Sequence, residues 1–155
     1  MSLKEDAELL RRIPLFAAIE PAKLKLLAFT SERVSFTPGQ YLFRQGDMGD
    51  AAYILIDGRV EVMIDSPTGP RHVAWLGSHE VVGEVAVLGD VPRTASVRAE
   101  TPLVALRISK EGFLSLLQDF PQIAVCMMRV VAQRLENTTA QLRTALAERN
   151  GASAA

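Results

Sequence analysis

The sequence predicts an α+β chain: two short helices, then a run of short antiparallel strands, then a long C-terminal helix. Three observations predict it. Residues 31–108 alternate brief apolar runs with Pro, Gly and Asp turn signals. The residues before them carry leucines at helical spacing. After Pro121, apolar residues recur every three or four positions as far as about Glu148. Strands of this length and spacing suit an antiparallel sandwich, roll or barrel.

The elements follow in order. Ala7 to Ile13 and Pro21 to Phe29 read as helices, and Pro21 suits a first helical turn. Leu9, Leu10 and Ile13 form an apolar face on the first. Leu24, Leu26 and Leu27 do so on the second, with Lys23 and Lys25 left for solvent. Pro14-Leu15-Phe16 between them is expected to plug the core. Strands are expected at Val34–Phe36, Tyr41–Phe43 and Ala52–Ile56, and at Val60, Val62 and Ile64 after the Asp57-Gly58 hairpin signal. A second hairpin closes at Pro67-Thr68-Gly69-Pro70. Val73–Leu76, Val81–Val82, Ser96–Ala99 and Leu103–Ile108 complete the strands. Ser109 is a natural N-cap for a helix through Leu117, and Pro121 opens the long helix. The whole of 1–155 reads as one domain. Helices lie within 8–30, strands within 31–108 with a functional segment at 82–97, helices within 109–149, and a disordered tail is expected at 150–155.

Bulk properties narrow the function. Hydrophobic residues make up 48% and charged residues 23%, an ordinary globular balance. The net charge of −1 argues against a free-standing nucleic-acid-binding module, which needs a basic face. No apolar run has the length of a membrane span and no signal peptide is visible. A single cysteine, Cys126, excludes an internal disulfide framework and suits the cytoplasm.

The chemistry concentrates between Val82 and Val97. Gly83 removes a side chain where a ligand could approach the backbone. Val85 and Ala86 open one short helical turn whose first N–H groups favour an anion. Arg93 offers a planar donor fork that fits two phosphate oxygens, with the Thr94 hydroxyl and Ala95 beside it. An ionised Glu84 only accepts, so it repels phosphate and suits a sugar hydroxyl. A compact nucleotide with one phosphate charge and a free ribose 2′-OH meets both demands. The alternative is an ordinary ion pair between Glu84 and Arg93 on a loop.

Gly83-Glu84-Val85-Ala86-Val87-Leu88 followed by Pro92-Arg93-Thr94-Ala95-Ser96 resembles the phosphate-binding cassette of cyclic nucleotide-binding domains. The resemblance implies that Glu84 holds the ribose 2′-OH and Arg93 the cyclic phosphate. Val82, Val85 and Val87 depart from that pattern by apolar-for-apolar exchanges. The glycine-punctuated turns at Pro38-Gly39, Gln45-Gly46-Asp47 and Asp57-Gly58 are similar to the family's β-roll, a double-stranded, jelly-roll-like β-helix. The match runs from about Leu15 to Leu142.

The long helix carries a heptad seam through Ala124, Met128, Val131, Leu135, Thr138, Leu142 and Ala145. A second apolar stripe, Ile123, Met127 and Val130, needs a second surface. One stripe on the β-roll and one on a partner predict a homodimer. Gln133-Arg134-Leu135-Glu136-Asn137-Thr138-Thr139 resembles the helix of the bacterial cyclic-AMP receptor (Crp/Fnr) type, where hydroxyl residues contact the adenine amino group from both subunits. That implies base contacts from Thr138 and Thr139. The Thr138 hydroxyl bonded back to its own helix is the plainer alternative.

His72 and His79 form no metal-ligand pair and Trp75 is expected to pack. Nothing resembles a nucleophile–base pair, so no enzyme, metal or resident cofactor is expected. The expected function is cyclic mononucleotide sensing, with cyclic AMP the ligand and no contact with nucleic acid or membrane. Thr94 keeps cyclic GMP as an alternative, and a dimerisation domain with an empty cassette is the other. The output is expected to be that of a Crp-type regulator fragment, a regulatory piece of an enzyme or channel, or a stand-alone sensor, because no helix-turn-helix follows in these residues.

Overall fold

A computed structural model describes residues 3–13, 16–17 and 19–154, with side chains described for 7–13, 16–17 and 19–149. Two helices lead, α1 (Leu3–Arg11) and α2 (Pro21–Thr30). Six strands follow: β1 (Glu32–Phe36), β2 (Tyr41–Phe43), β3 (Ala51–Asp57), β4 (Val60–Ser66), β5 (Gly69–Leu76) and β6 (Val81–Val82). A short helix, α3 (Glu84–Gly89), interrupts them before β7 (Ser96–Ala99) and β8 (Leu103–Ser109). Helices α4 (Lys110–Asp119) and α5 (Pro121–Ala154) end the chain.

The strands form two four-stranded antiparallel sheets, ordered β1-β8-β3-β6 and β2-β7-β4-β5. Together with the flanking helices they make the β-roll expected above. The two-residue period of strands decides what each residue meets. Ala52 and Ile54 of β3, Val81 of β6, and Leu106 and Ile108 of β8 join a core with helix residues such as Leu10, Leu24, Phe113 and Ile123. Their neighbours Tyr53, Leu55, Val82, Leu103 and Ala105 turn the other way, packing with Val60, Val97 and Ala99 of the second sheet. The first sheet is therefore buried on both faces, which explains the unbroken apolar run Ala51–Leu55. A fully buried leucine such as Leu55 contributes roughly 1.5–3 kcal/mol.

Several local expectations hold and others shift. Ser109 caps α4, its hydroxyl accepting from the Gly112 N–H at 3.1 Å. The Asp57-Gly58 turn joins β3 to β4 with Gly58 at φ 106°. The second hairpin is tighter than expected: pairing continues to Ser66 opposite Gly69, so only Pro67 and Thr68 turn and Pro70 lies in β5. An edge strand tolerates that proline because one row of its N–H groups has no ladder partner. Helix α1 begins and ends earlier than expected, since the residue before Pro14 is disfavoured in helical backbone. The plug residues Pro14 and Leu15 lie outside the described residues, while Phe16 is fully buried.

Three more expectations need correction. Leu26 is exposed, and Ala28 takes its place beside Leu24 and Leu27 in the core. Trp75 is 45% exposed, flanked by the Arg59 guanidinium and the His72 ring rather than packed inside. Residues 150–154, expected as a disordered tail, continue α5. Two alanines there favour a helix whose preceding turns already supply hydrogen-bond partners.

Helix α5 leaves α4 at an angle of 113°. Ile123 and Met127 are each 1% exposed and anchor its first turns in the core. Among the described residues, no single helix is long and apolar enough to cross a membrane.

Candidate ligand-binding site

The site begins where β6 ends. Val81 and Val82 are buried and pair with Ile54 and Tyr53 of β3. The backbone then turns at Gly83, φ 83°, straight into α3. A side chain there would be strained by that angle. Its Cβ would also sit 2.6 Å from Arg93 Nη1 and 3.0 Å from the Phe43 ring. Glycine brings the Gly83 carbonyl and the Arg93 guanidinium together.

Arg93 is 3% exposed. Its Nη1 donates to the Gly83 carbonyl at 2.8 Å and its Nη2 to the Ala51 carbonyl at 2.6 Å. The guanidinium lies 4.0 Å from the Phe43 ring centroid. The nearest carboxylate oxygen, Asp50 Oδ1, is 3.6 Å away, and that side chain is 66% exposed. Asp50 also holds Arg107 at 3.0 Å. Among the described residues, Arg93 Nε is the one buried side-chain polar atom without a partner. Burial pushes the Arg93 pKa below the ordinary arginine value, with Tyr53, Asp50 and Asp47 opposing the shift. Two carbonyls, a ring and one exposed carboxylate leave this buried cation without a closely paired anion, a setting that favours negative charge beside it.

Glu84, 2% exposed, starts α3 and does not pair with Arg93. Its Oε1 accepts from Arg134 Nη1 at 2.5 Å, and Arg134 Nη2 donates to the Val81 carbonyl at 2.8 Å. The surface ion pair considered from the sequence is thus replaced by a bridge between the cassette and α5. Arg134 was missed by sequence reasoning. Its signal is its position four residues before Thr138, which puts both on one helix face. Ala86 is packed so closely beneath the β2–β3 loop that a Cβ on Gly49 would come 2.5 Å from its own.

These groups surround one cavity of about 920 Å³, walled by the cassette, the β4–β5 hairpin and α5. Gly83, Glu84, Val85, Ala86, Arg93, Thr94, Ala95 and Thr138 all line it; Thr139 does not. The Thr138 hydroxyl donates to the Arg134 carbonyl and that of Thr139 to the Leu135 carbonyl, each at 2.9 Å. The back-bonded alternative therefore describes both threonines in the single chain. Thr94 is exposed at the cavity and its hydroxyl has no hydrogen-bond partner among the described residues. The lining holds Arg93, Arg129 and Arg134 against Glu80 and Glu84, a surplus of one positive charge. Val62, Ile64 and Val73 give the hairpin wall an apolar surface. Among the described residues no group of three His, Cys, Asp or Glu side chains is gathered to hold a metal.

Comparison with known proteins agrees with the geometry. The family described as Cyclic nucleotide-binding domain matches residues 33–120. A CRP-like cAMP-activated global transcriptional regulator of Mycobacterium tuberculosis is 30% identical over 136 residues, 87% of this chain and 61% of the relative. The cAMP-dependent protein kinase regulatory subunit of Emericella nidulans is 33% identical over 108 residues, 70% of this chain and 26% of the relative. In structure, the Thermus thermophilus catabolite activator protein superposes with a TM-score of 0.74 at 30% identity, covering 84% of this chain and 62% of that one. The chain belongs to the cyclic nucleotide-binding domain family, and is of its Crp/Fnr type. It spans about 61% of the length of the regulator it matches.

Proposed function

We propose that this chain senses cyclic AMP and passes the signal on through α5 as a homodimer. The observation that carries the reading is Arg93: a buried guanidinium with an unpartnered Nε, a solvent-exposed carboxylate 3.6 Å away, and a place in the wall of a cavity with one surplus positive charge. The cyclic phosphate sits against Arg93 and Thr94, close to the backbone at Gly83, Val85, Ala86 and Ala95. The ribose 2′-OH donates to Glu84, and the base lies toward Thr138. Thr139, outside the cavity of its own chain, is left to act across the dimer. Relatives that are a cAMP-activated regulator and a cAMP-dependent kinase subunit support the choice of cyclic AMP.

Glu84 already has a partner, so ligand binding is an exchange. A ribose hydroxyl shares or displaces Arg134, and the arrangement of α5 on the cassette shifts with it. The dimer reading rests on Met128, Leu135 and Leu142, which are 65%, 66% and 59% exposed along the predicted seam. Titration calorimetry with cyclic AMP and cyclic GMP tests the ligand. Cyclic AMP should bind more tightly, and Arg93→Ala should weaken it by about 2–5 kcal/mol. Tighter binding of cyclic GMP overturns the choice of nucleotide. No binding of either at millimolar concentration overturns the sensing role in favour of a dimerisation domain.

A further inference from the structure

One side chain in the cavity wall has no task in the nucleotide contacts: Phe43. Its direction is unusual for its place in a strand. Successive strand residues point to opposite faces. Leu42 and Phe43 nevertheless both pack on the core between the two sheets. The pairing of β2 with β7 explains this. Tyr41 lies opposite Arg98 and Phe43 opposite Val97, so Leu42 is an extra residue and the register shifts there. A bulge of this kind re-aims a side chain. Here it sets the Phe43 ring against the Arg93 guanidinium, with Cζ 4.0 Å from the ring centroid. The ring is itself held. Tyr53, buried in the same core, lies 6.1 Å from it between centroids and meets Phe36 edge-on at 6.3 Å.

What the ring offers Arg93 differs from what a carboxylate would offer. A guanidinium has five N–H donors. Nη1 gives one to the Gly83 carbonyl and Nη2 one to the Ala51 carbonyl. An aromatic face steadies the cation through its quadrupole and takes none of the in-plane donors. A carboxylate in the same place would accept from those donors and compete with a phosphate. The ring leaves the Nε–H without a partner. A cation held in place before the ligand arrives also removes the cost of ordering it on binding. We propose that Phe43 is a positioning residue for the phosphate contact: the bulge in β2 sets its ring against Arg93, and the ring keeps the guanidinium where the cyclic phosphate binds. This inference rests on the cyclic nucleotide reading of the same cavity.

Phe43→Leu keeps an apolar side chain and removes the ring. Titration calorimetry should show cyclic AMP binding about tenfold more weakly to it. The loss should depend on the planar cation. In Arg93→Lys, whose ammonium is a point charge without a stacking face, the same change at Phe43 should weaken binding by less than about twofold. A loss of packing alone would weaken binding equally in both backgrounds. NMR of the native chain gives a second reading. The Arg93 Nε–H resonance, assigned by its absence from Arg93→Lys, should lie upfield of those of exposed arginines because of the Phe43 ring current. That native resonance decides even where the leucine variant does not fold, which circular dichroism reports. Native affinity in Phe43→Leu, an equal loss in both backgrounds, or an unshifted Arg93 resonance overturns the inference while the sensing role stands. Binding of neither cyclic AMP nor cyclic GMP by the native chain overturns both.

Discussion

Gly83 concentrates two constraints in one atom's absence. Its backbone is left-handed, and the space a Cβ would fill is occupied by the Arg93 guanidinium and the Phe43 ring. Gly83→Ala should cost about 1–3 kcal/mol, read as a lower denaturant midpoint. It should also displace Arg93, so nucleotide affinity falls with it. On the far end of α3, Asp90 takes a left-handed conformation and pairs with Lys110 at the start of α4. The hydrogen bond from Lys110, and then its charge, hold the Asp90 carboxyl below its ordinary value of 3.8. A depressed folded value means the contribution is present above that ordinary value and is lost as pH falls through the depressed one. A carboxyl titration by NMR should place Asp90 below 3.8, and Lys110→Met should return it toward 3.8.

Among the elements, α5 has three faces with different tasks. Ile123 and Met127 are in the core, Gln133, Asn137 and Thr138 line the cavity, and Met128, Leu135 and Leu142 are exposed. Thr138 belongs to both the cavity face and the predicted seam, which is where a ligand and a second copy would meet. Leu135→Asp should shift the chain to monomer in sedimentation equilibrium while leaving its circular dichroism unchanged. Most strands were legible because their turn residues are local signals, as at Asp57-Gly58, and because apolar alternation survives wherever one face is buried. Where the sequence misled, the cause lay elsewhere in the fold. Pairing with β4 carried β5 back to Gly69, through a proline that reads locally as a turn. Packing of α2 left Leu26 outside although Leu24 and Leu27 are inside. The cassette was legible as a contiguous motif. The Glu84–Arg134 bridge was not, because it joins residues fifty positions apart whose meeting depends on where α5 lies.

At the scale of the molecule, two cores share the sheet β1-β8-β3-β6 as a common wall. The cavity borders both cores: Ile13, Val81 and Met127 of the first and Val82 and Val97 of the second are part of its wall. A nucleotide that binds only the folded chain should stabilise it by about 2.7 kcal/mol at one hundred times its dissociation constant. For a chain of this size that raises the melting temperature by roughly 5–10 °C, measurable by differential scanning fluorimetry. Cyclic AMP should produce the rise and Arg93→Ala should remove it.

The Arg134 bridge also bears on how the site responds to its surroundings. Before any ligand arrives, Glu84 is held by a cation that reaches in from another element and is 29% exposed at its side chain. Dissolved ions weaken that contact as well as the attraction of a phosphate for Arg93. The two effects oppose one another in the affinity, one loosening the closed arrangement and the other the bound one. If the ligand displaces Arg134, the nucleotide affinity of the native chain should change less between low and high salt than that of the Arg134→Ala variant, a comparison that titration calorimetry measures.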